Sequence, residues 1–136
     1  MEQEARESLV NEAEYLRNLL ASLNSQIDRI ARAMEEVTTT LTVLRDRESI
    51  VSNDTRMTIG SGIYMKVKVE DMNNLLSPIG SDLFKTDSAE NVQKALEANV
   101  EDMRTSLTTL EARRKEAETR YETILTVLQK SPQQGS

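Results

Sequence analysis

Between residues 9 and 44, apolar side chains recur at alternating steps of four and three. The series is Leu9, Ala13, Leu16, Leu20, Leu23, Ile27, Ile30, Met34, Val37, Leu41 and Leu44. None of the eleven positions is polar, and no Gly or Pro interrupts the stretch. A mean repeat of 3.5 residues marks a coiled-coil seam, because a straight helix at 3.6 residues per turn drifts away from such a stripe. The stretch predicts a helix roughly 54 Å long at 1.5 Å per residue. Thr38, Thr39 and Thr40 are weak helix formers, so local softness is expected there.

A second seam follows the same rule. Leu96, Val100, Met103, Leu107, Leu110, Arg114, Ala117, Tyr121, Ile124 and Leu128 again step by four and three. Only Arg114 is not apolar. Its long stem can snorkel, or its charge can specify how two helices align. Asp87 and Glu90 have capping-box spacing, which places the helix start at Asp87 or Ser88. The closing residues Ser131-Pro132-Gln133-Gln134-Gly135-Ser136 read as a frayed polar tail.

Two seams of similar length predict an antiparallel helical hairpin. The 44 residues between them, 45–88, are too many for a structureless loop. Their own pattern is period two: Ile63, Met65, Val67 and Val69 alternate with Tyr64, Lys66, Lys68 and Glu70. Residues 55–59 precede this run, and Gly60-Ser61-Gly62 supplies a hairpin turn. Residues 75–79 and 83–86 flank Gly80-Ser81-Asp82 in the same way. The fold class is therefore α+β, mainly α: a long antiparallel two-helix coiled coil with two β-hairpins inserted. Four short strands with open edges are hard to stabilise alone. Both helical stripes are already committed to each other. Pairing with strands of other subunits is expected.

Composition narrows the chemistry. The chain has no Cys and no His, so disulfides, thiolate zinc sites, a cysteine nucleophile and an imidazole base are excluded. Aromatics make up 3% of the chain, so aliphatic seams must supply the core. The net charge of −6 argues against general binding to nucleic acid or anionic lipid. No apolar run exceeds three residues, so no membrane span is expected. Met1-Glu2-Gln3-Glu4 is unlike a basic signal-peptide start, and a cytoplasmic protein is expected. Gly60-Ser61-Gly62 does not extend to a phosphate-binding loop, since Met65 occupies the third glycine position. Glu35 and Glu36 lack calcium-loop spacing and read as a solvated helix face. No catalytic motif, metal site or cofactor site emerges, and an enzyme is not expected.

The middle segment resembles the alpha class of the prefoldin family. Thr58-Ile59-Gly60-Ser61-Gly62-Ile63-Tyr64-Met65-Lys66-Val67-Lys68-Val69 looks like the family's first hairpin, and Ile79-Gly80-Ser81-Asp82-Leu83-Phe84-Lys85-Thr86 like its second. The beta class has one hairpin and a shorter chain. Thr58 stands where the family often has Pro, and Asp82 where it often has a second Gly. Asp tolerates positive φ better than most residues.

The resemblance implies a single prefoldin-like domain: a helix over about 5–48, hairpins over 55–87, a helix over 88–129 and a tail over 130–136. It implies a hexamer of two alpha and four beta subunits, with the hairpins closing into a β-barrel platform. Ile59, Gly60, Gly62, Ile63, Met65, Val67, Val69, Ile79, Gly80, Leu83 and Phe84 would build that assembly. Both chain termini would then lie at a free tip. There Leu9, Val10, Leu19, Leu125, Val127 and Leu128 would hold unfolded client proteins for transfer to a group II chaperonin, without nucleotide or cofactor. The competing expectation is a structural coiled-coil adaptor whose hairpins dock on one folded partner.

Overall fold

The computed structural model describes residues 1–130; the polar tail expected at the end of the chain lies outside the described residues. The elements in chain order are α1 (Glu2–Arg45), α2 (Arg47–Ile50), β1 (Asp54–Gly60), β2 (Ile63–Lys68), β3 (Leu75–Gly80), β4 (Leu83–Asp87) and α3 (Ala89–Lys130). The chain divides into two compact units. One comprises Met1–Ala33 with the chain from Met103 onward, and the other is Met34–Asp102.

In the first unit, the two helical segments run antiparallel. Their cross-helix contacts fall in opposite order along the chain: Arg6 meets Leu128, Glu12 meets Arg120, and Asn24 meets Arg114. Ala13, Leu16, Leu23, Leu110, Ala117 and Ile124 are buried. Leu9, Leu19, Leu20, Tyr121 and Leu128 pack against a centre formed by Ala13, Leu16, Ala117 and Ile124. Every seam residue read from the sequence, in either helix, is buried or half-buried. The period alone located the core because a helix in water must turn one stripe inward.

In the second unit, Leu41, Leu44, Ala89 and Val100 are buried. Helix α1 passes through Thr38–Thr40 unbroken, and the hydroxyls of Thr39, Thr40 and Thr42 donate to the carbonyls of Glu35, Glu36 and Thr38. The helix ends at Arg45. The Asp46 N–H is shared between the Thr42 and Val43 carbonyls at 3.2 Å each. Arg47 then donates from one guanidinium nitrogen to the Leu44 carbonyl at 2.8 Å and to Gln93 Oε1 at 2.6 Å. That side chain satisfies an orphan carbonyl at the α1 end and ties it to α3.

Asp87 does not act as the helix cap expected from its spacing to Glu90. Helix α3 begins at Ala89, and Ser88 Oγ accepts the Asn91 N–H at 3.2 Å. Asp87 sits one residue too early to reach that donor. Its carboxylate instead accepts from Ser88 N–H and Asn91 Nδ2, both at 2.9 Å. These two bonds, Asn91 first, hold the Asp87 carboxyl below the usual carboxylate range. Glu90 pairs with Lys94 one turn on.

Strands β1 and β2 form one antiparallel hairpin, and β3 and β4 another, each a two-stranded sheet of its own. Both carry a register shift just before the turn, between Thr58 and Gly60 and between Pro78 and Gly80. The turn residues all have positive φ: Gly60 at 105°, Ser61 at 53° and Gly62 at 75°, then Gly80 at 113°, Ser81 at 44° and Asp82 at 60°. Gly60 and Gly80 lie beyond the left-handed helical well, where an L side chain is strained even with open space around it. Asp82 takes the place of Gly62 because its φ falls inside that well, which Asp visits more readily than most residues.

Candidate functional surfaces

The hairpins present large apolar side chains to solvent. In the first, Met57, Ile59, Ile63, Tyr64 and Met65 are exposed; in the second, Leu76, Ile79, Leu83 and Phe84 are exposed. Leu76 reaches 69% exposure, extreme for a leucine in a strand. Val67 and Val69 are half-buried. Cross-strand register assigns the faces. Met57 lies opposite Met65, and Thr55 opposite Val67, giving the first hairpin one apolar face. The other face carries Arg56 opposite Lys66 and Asp54 opposite Lys68. In the second hairpin, Leu76 lies opposite Thr86 and Pro78 opposite Phe84.

Met57 and Leu76 belong to this surface, yet sequence reasoning had not included them. Met57 was findable as the cross-strand partner of Met65. Leu76 was obscured by its neighbour Leu75, because two adjacent leucines leave the inward one undecided.

Each hairpin also leaves its outer backbone edges unpaired within its own sheet. Apolar faces with open edges are suited to adding further strands, where backbone hydrogen bonds give affinity and side chains give specificity.

The six residues expected to hold clients do not form one patch. Val10 and Val127 are exposed, at 45% and 43%. Leu9, Leu19, Leu125 and Leu128 are half-buried, and all of these but Leu125 pack against the buried centre of the first unit. A helix turns about 100° per residue, so Arg6 and Val10 share one flank of α1, and Glu12 and Leu19 share the other. On α3, Arg114 and Leu125 share one flank, and Arg120 and Val127 the other. The cross-helix contacts of Asn24 with Arg114 and of Glu12 with Arg120 then match the flanks. Val10 and Leu125 lie along one edge of the helix pair, and Leu19 and Val127 along the opposite edge. Tyr15, 64% exposed, stands on the second edge and had not been singled out as a surface residue.

That second edge is clasped by a two-pronged ion pair. Arg120 Nε and Nη2 donate to Glu12 Oε1 and Oε2 at 2.8 and 2.9 Å. The arginine's hydrogen bonds hold the Glu12 carboxyl below its usual range, and the carboxylate raises the Arg120 guanidinium in turn. A carboxylate whose folded-state pKa is depressed adds stability above its unfolded value, and this is lost as pH falls through the folded value. The helix pair should therefore lose stability as pH drops below the ordinary glutamate range. Glu12→Gln should remove part of that acid sensitivity by lowering stability slightly at neutral pH, with little change at acid pH. Thermal unfolding of both proteins from pH 3 to pH 7 measures this, and parallel pH profiles would discount the pair. Both side chains are well exposed, so the effect is modest.

Among the described residues no group of His, Cys, Asp and Glu is arranged to hold a metal ion, and no helix is long and apolar enough to cross a membrane.

The fold agrees with comparisons to known proteins. The family described as Prefoldin subunit matches residues 3–134. The prefoldin subunit alpha of Picrophilus torridus is 35% identical over 101 residues, covering 74% of this chain and 72% of that protein. The prefoldin subunit alpha of Thermoplasma acidophilum is 32% identical over 110 residues, covering 81% and 85%. Among solved structures, the cryo-EM structure of filamentous PFD from Methanocaldococcus jannaschii matches with a TM-score of 0.68. It covers 85% of this chain and 97% of that one at 17% identity, which speaks for the fold. Two long helices with a paired seam, two inserted hairpins, and a family match spanning nearly the whole sequence lead to one conclusion: the chain belongs to the prefoldin family of chaperones, in its alpha class.

Proposed function

We propose that this chain is the alpha subunit of a cytoplasmic, ATP-independent holdase and acts in it as one prefoldin-like domain. In this reading, two copies assemble with four beta subunits, and the hairpins of all six close into a β-barrel platform. Ile59, Gly60, Gly62, Ile63, Met65, Val67, Val69, Ile79, Gly80, Leu83 and Phe84 are its contribution. Unfolded clients are held at the helix ends by Val10, Leu19, Leu125 and Val127, with Leu9 and Leu128 joining as the ends fray, and then pass to a group II chaperonin.

The observation that carries the reading is the exposed apolar surface of both hairpins, which water does not favour in a lone subunit. Retention with easy release follows from weak contacts on several subunits. Each apolar side chain removed from water contributes about 1.5–3 kcal/mol, and linked sites multiply such contacts through effective concentration.

Native mass spectrometry of the complex captured from its own cytosol tests the assembly. Two copies of this chain with four of a smaller coiled-coil chain are expected, and the complex should suppress aggregation of several unrelated unfolded proteins without ATP. A stoichiometric complex with one folded protein would favour the adaptor instead.

A further inference from the structure

Successive side chains of a strand point to opposite faces. Tyr64, Lys66 and Lys68 of β2 therefore stand on one face of the first hairpin, away from Ile63, Met65 and Val67. Arg56 joins them from β1, directly opposite Lys66, while Lys68 lies opposite Asp54. All of these polar-face residues are exposed. Residues facing one another across an antiparallel pair have Cβ atoms about 4.5–5.5 Å apart, and like charges so placed are destabilising. The hairpin carries a repulsion between Arg56 and Lys66 that a neutral residue at either position would relieve.

The second hairpin compensates its cation: Lys85 pairs with Asp87 at 3.5 Å. On the helices, Arg32 and Lys94 each pair with a carboxylate one turn away. Among the described residues Arg56, Lys66 and Lys68 form no ion pair. Acids are not scarce, since the chain holds 23 Asp and Glu against 17 Lys and Arg. Asp54 and Glu70 flank the three cations at the base of the hairpin without pairing with them. A local cost that the fold leaves uncompensated marks a place where the sequence serves something besides its own folding.

We propose that this face of the first hairpin docks an acidic, extended segment of a partner protein. Alternate residues of an extended segment point the same way, about 6.6–6.8 Å apart, and Lys66 and Lys68 are spaced by that same rule along β2. Carboxylates on alternate residues of the partner meet both lysines. The Arg56 guanidinium, opposite Lys66, takes a carboxylate through two parallel hydrogen bonds. Binding relieves the repulsion between Arg56 and Lys66, so the arrangement that costs the free hairpin favours the occupied one. Tyr64 continues the row toward the turn, its ring 62% exposed, and offers apolar surface to the stem of a partner side chain. A long polyanion fits less well: three cations neutralise few phosphates, and the net charge of −6 repels the rest. That this face points outward in the complex rests on the assembly reading, in which partner strands cover the opposite face; the charge pattern does not.

Fluorescence anisotropy of a labelled peptide of alternating Ser and Glu, titrated with the assembled complex at low salt, tests the docking. The peptide should bind, added salt should weaken it, and a peptide of alternating Ser and Gln should bind about tenfold more weakly or worse. Arg56→Gln, Lys66→Gln and Lys68→Gln together should weaken binding of the Glu peptide about tenfold or more. Arg29→Gln, Lys115→Gln and Lys130→Gln together change the net charge equally at exposed positions elsewhere and should leave binding within about twofold. Native mass spectrometry checks that both variants assemble. A Glu peptide that does not bind, equal weakening by the two triple variants, or an oligothymidylate of equal charge that binds as tightly as the peptide overturns the proposal. Loss of assembly in the first variant also overturns it, because the three cations then belong to the subunit interface. An unaltered chain that does not assemble defeats the assembly reading, and peptide binding to that chain, with the same two variants, still decides the docking.

Discussion

Replacing Ile63, Met65, Leu83 and Phe84 together with serine should abolish assembly while leaving the helices formed. These four side chains are between 44% and 62% exposed in the lone chain and none belongs to the buried core, so the helical seams lose little when they are removed. Covered by partner strands, each would contribute about 1.5–3 kcal/mol, so their joint loss amounts to roughly 6–12 kcal/mol as an upper bound. Even half the lower figure weakens association by more than about a hundredfold, since each 1.4 kcal/mol is a factor of ten. Native mass spectrometry should find the variant dissociated from its partners, and far-UV circular dichroism should find its helix content unchanged. An intact oligomer would show that the exposed hairpin faces are not the assembly surface. A dissociated variant that had lost its helices would show that the seams depend on the hairpins.

Leu23→Ala should produce the largest loss from a single change inside the chain. Leu23 is fully buried and Ile124 is 1% exposed. Leucine-to-alanine changes at such sites remove the transfer energy and leave a cavity, costing about 2.7–5 kcal/mol, with isoleucine-to-alanine in a similar range. Tyr15→Ala, at an exposed helix position, should change stability by no more than about 0.5 kcal/mol. Urea unfolding of the two variants and the unaltered chain, compared at the same protein concentration, checks the order. A Leu23→Ala midpoint no lower than that of Tyr15→Ala would mean that the seam does not bear the stability of the helix pair.

The two hairpins bear on how the first of these results arises. An isolated two-stranded hairpin is marginal in water. Here each is held by its turn and by attachment at its base. Ser52 N–H donates to the Val69 carbonyl at 2.8 Å, and Ala89 N–H to the Met72 carbonyl at 2.9 Å. Those two bonds fasten the end of the first hairpin to the chain that precedes it, and the loop between the hairpins to the start of α3. They orient both hairpins without covering their apolar faces, so the surfaces remain available to a partner.

How much could be read beforehand depended on the range of each signal. The two seams, the strand alternation of residues 63–70 and the glycine turns are local patterns: 3.5, 2 and a required positive φ are properties of neighbouring residues, and a single chain displays them in full. They determined that two long helices would share an apolar seam and that two hairpins would separate them. Three features needed the tertiary structure. Ser88 rather than Asp87 caps α3, because a one-residue shift in where the helix begins changes which oxygen reaches the Asn91 N–H. Glu12 finds Arg120 across 108 residues of sequence, because the pattern of one helix does not specify its register against another. Four of the six candidate client residues fall on two opposite edges and Leu9 and Leu128 on the seam between them, because a side chain's flank depends on where the partner helix lies as well as on its own position in the turn. What sequence determined was which residues turn inward; packing two helices against each other decided which of the others stand side by side.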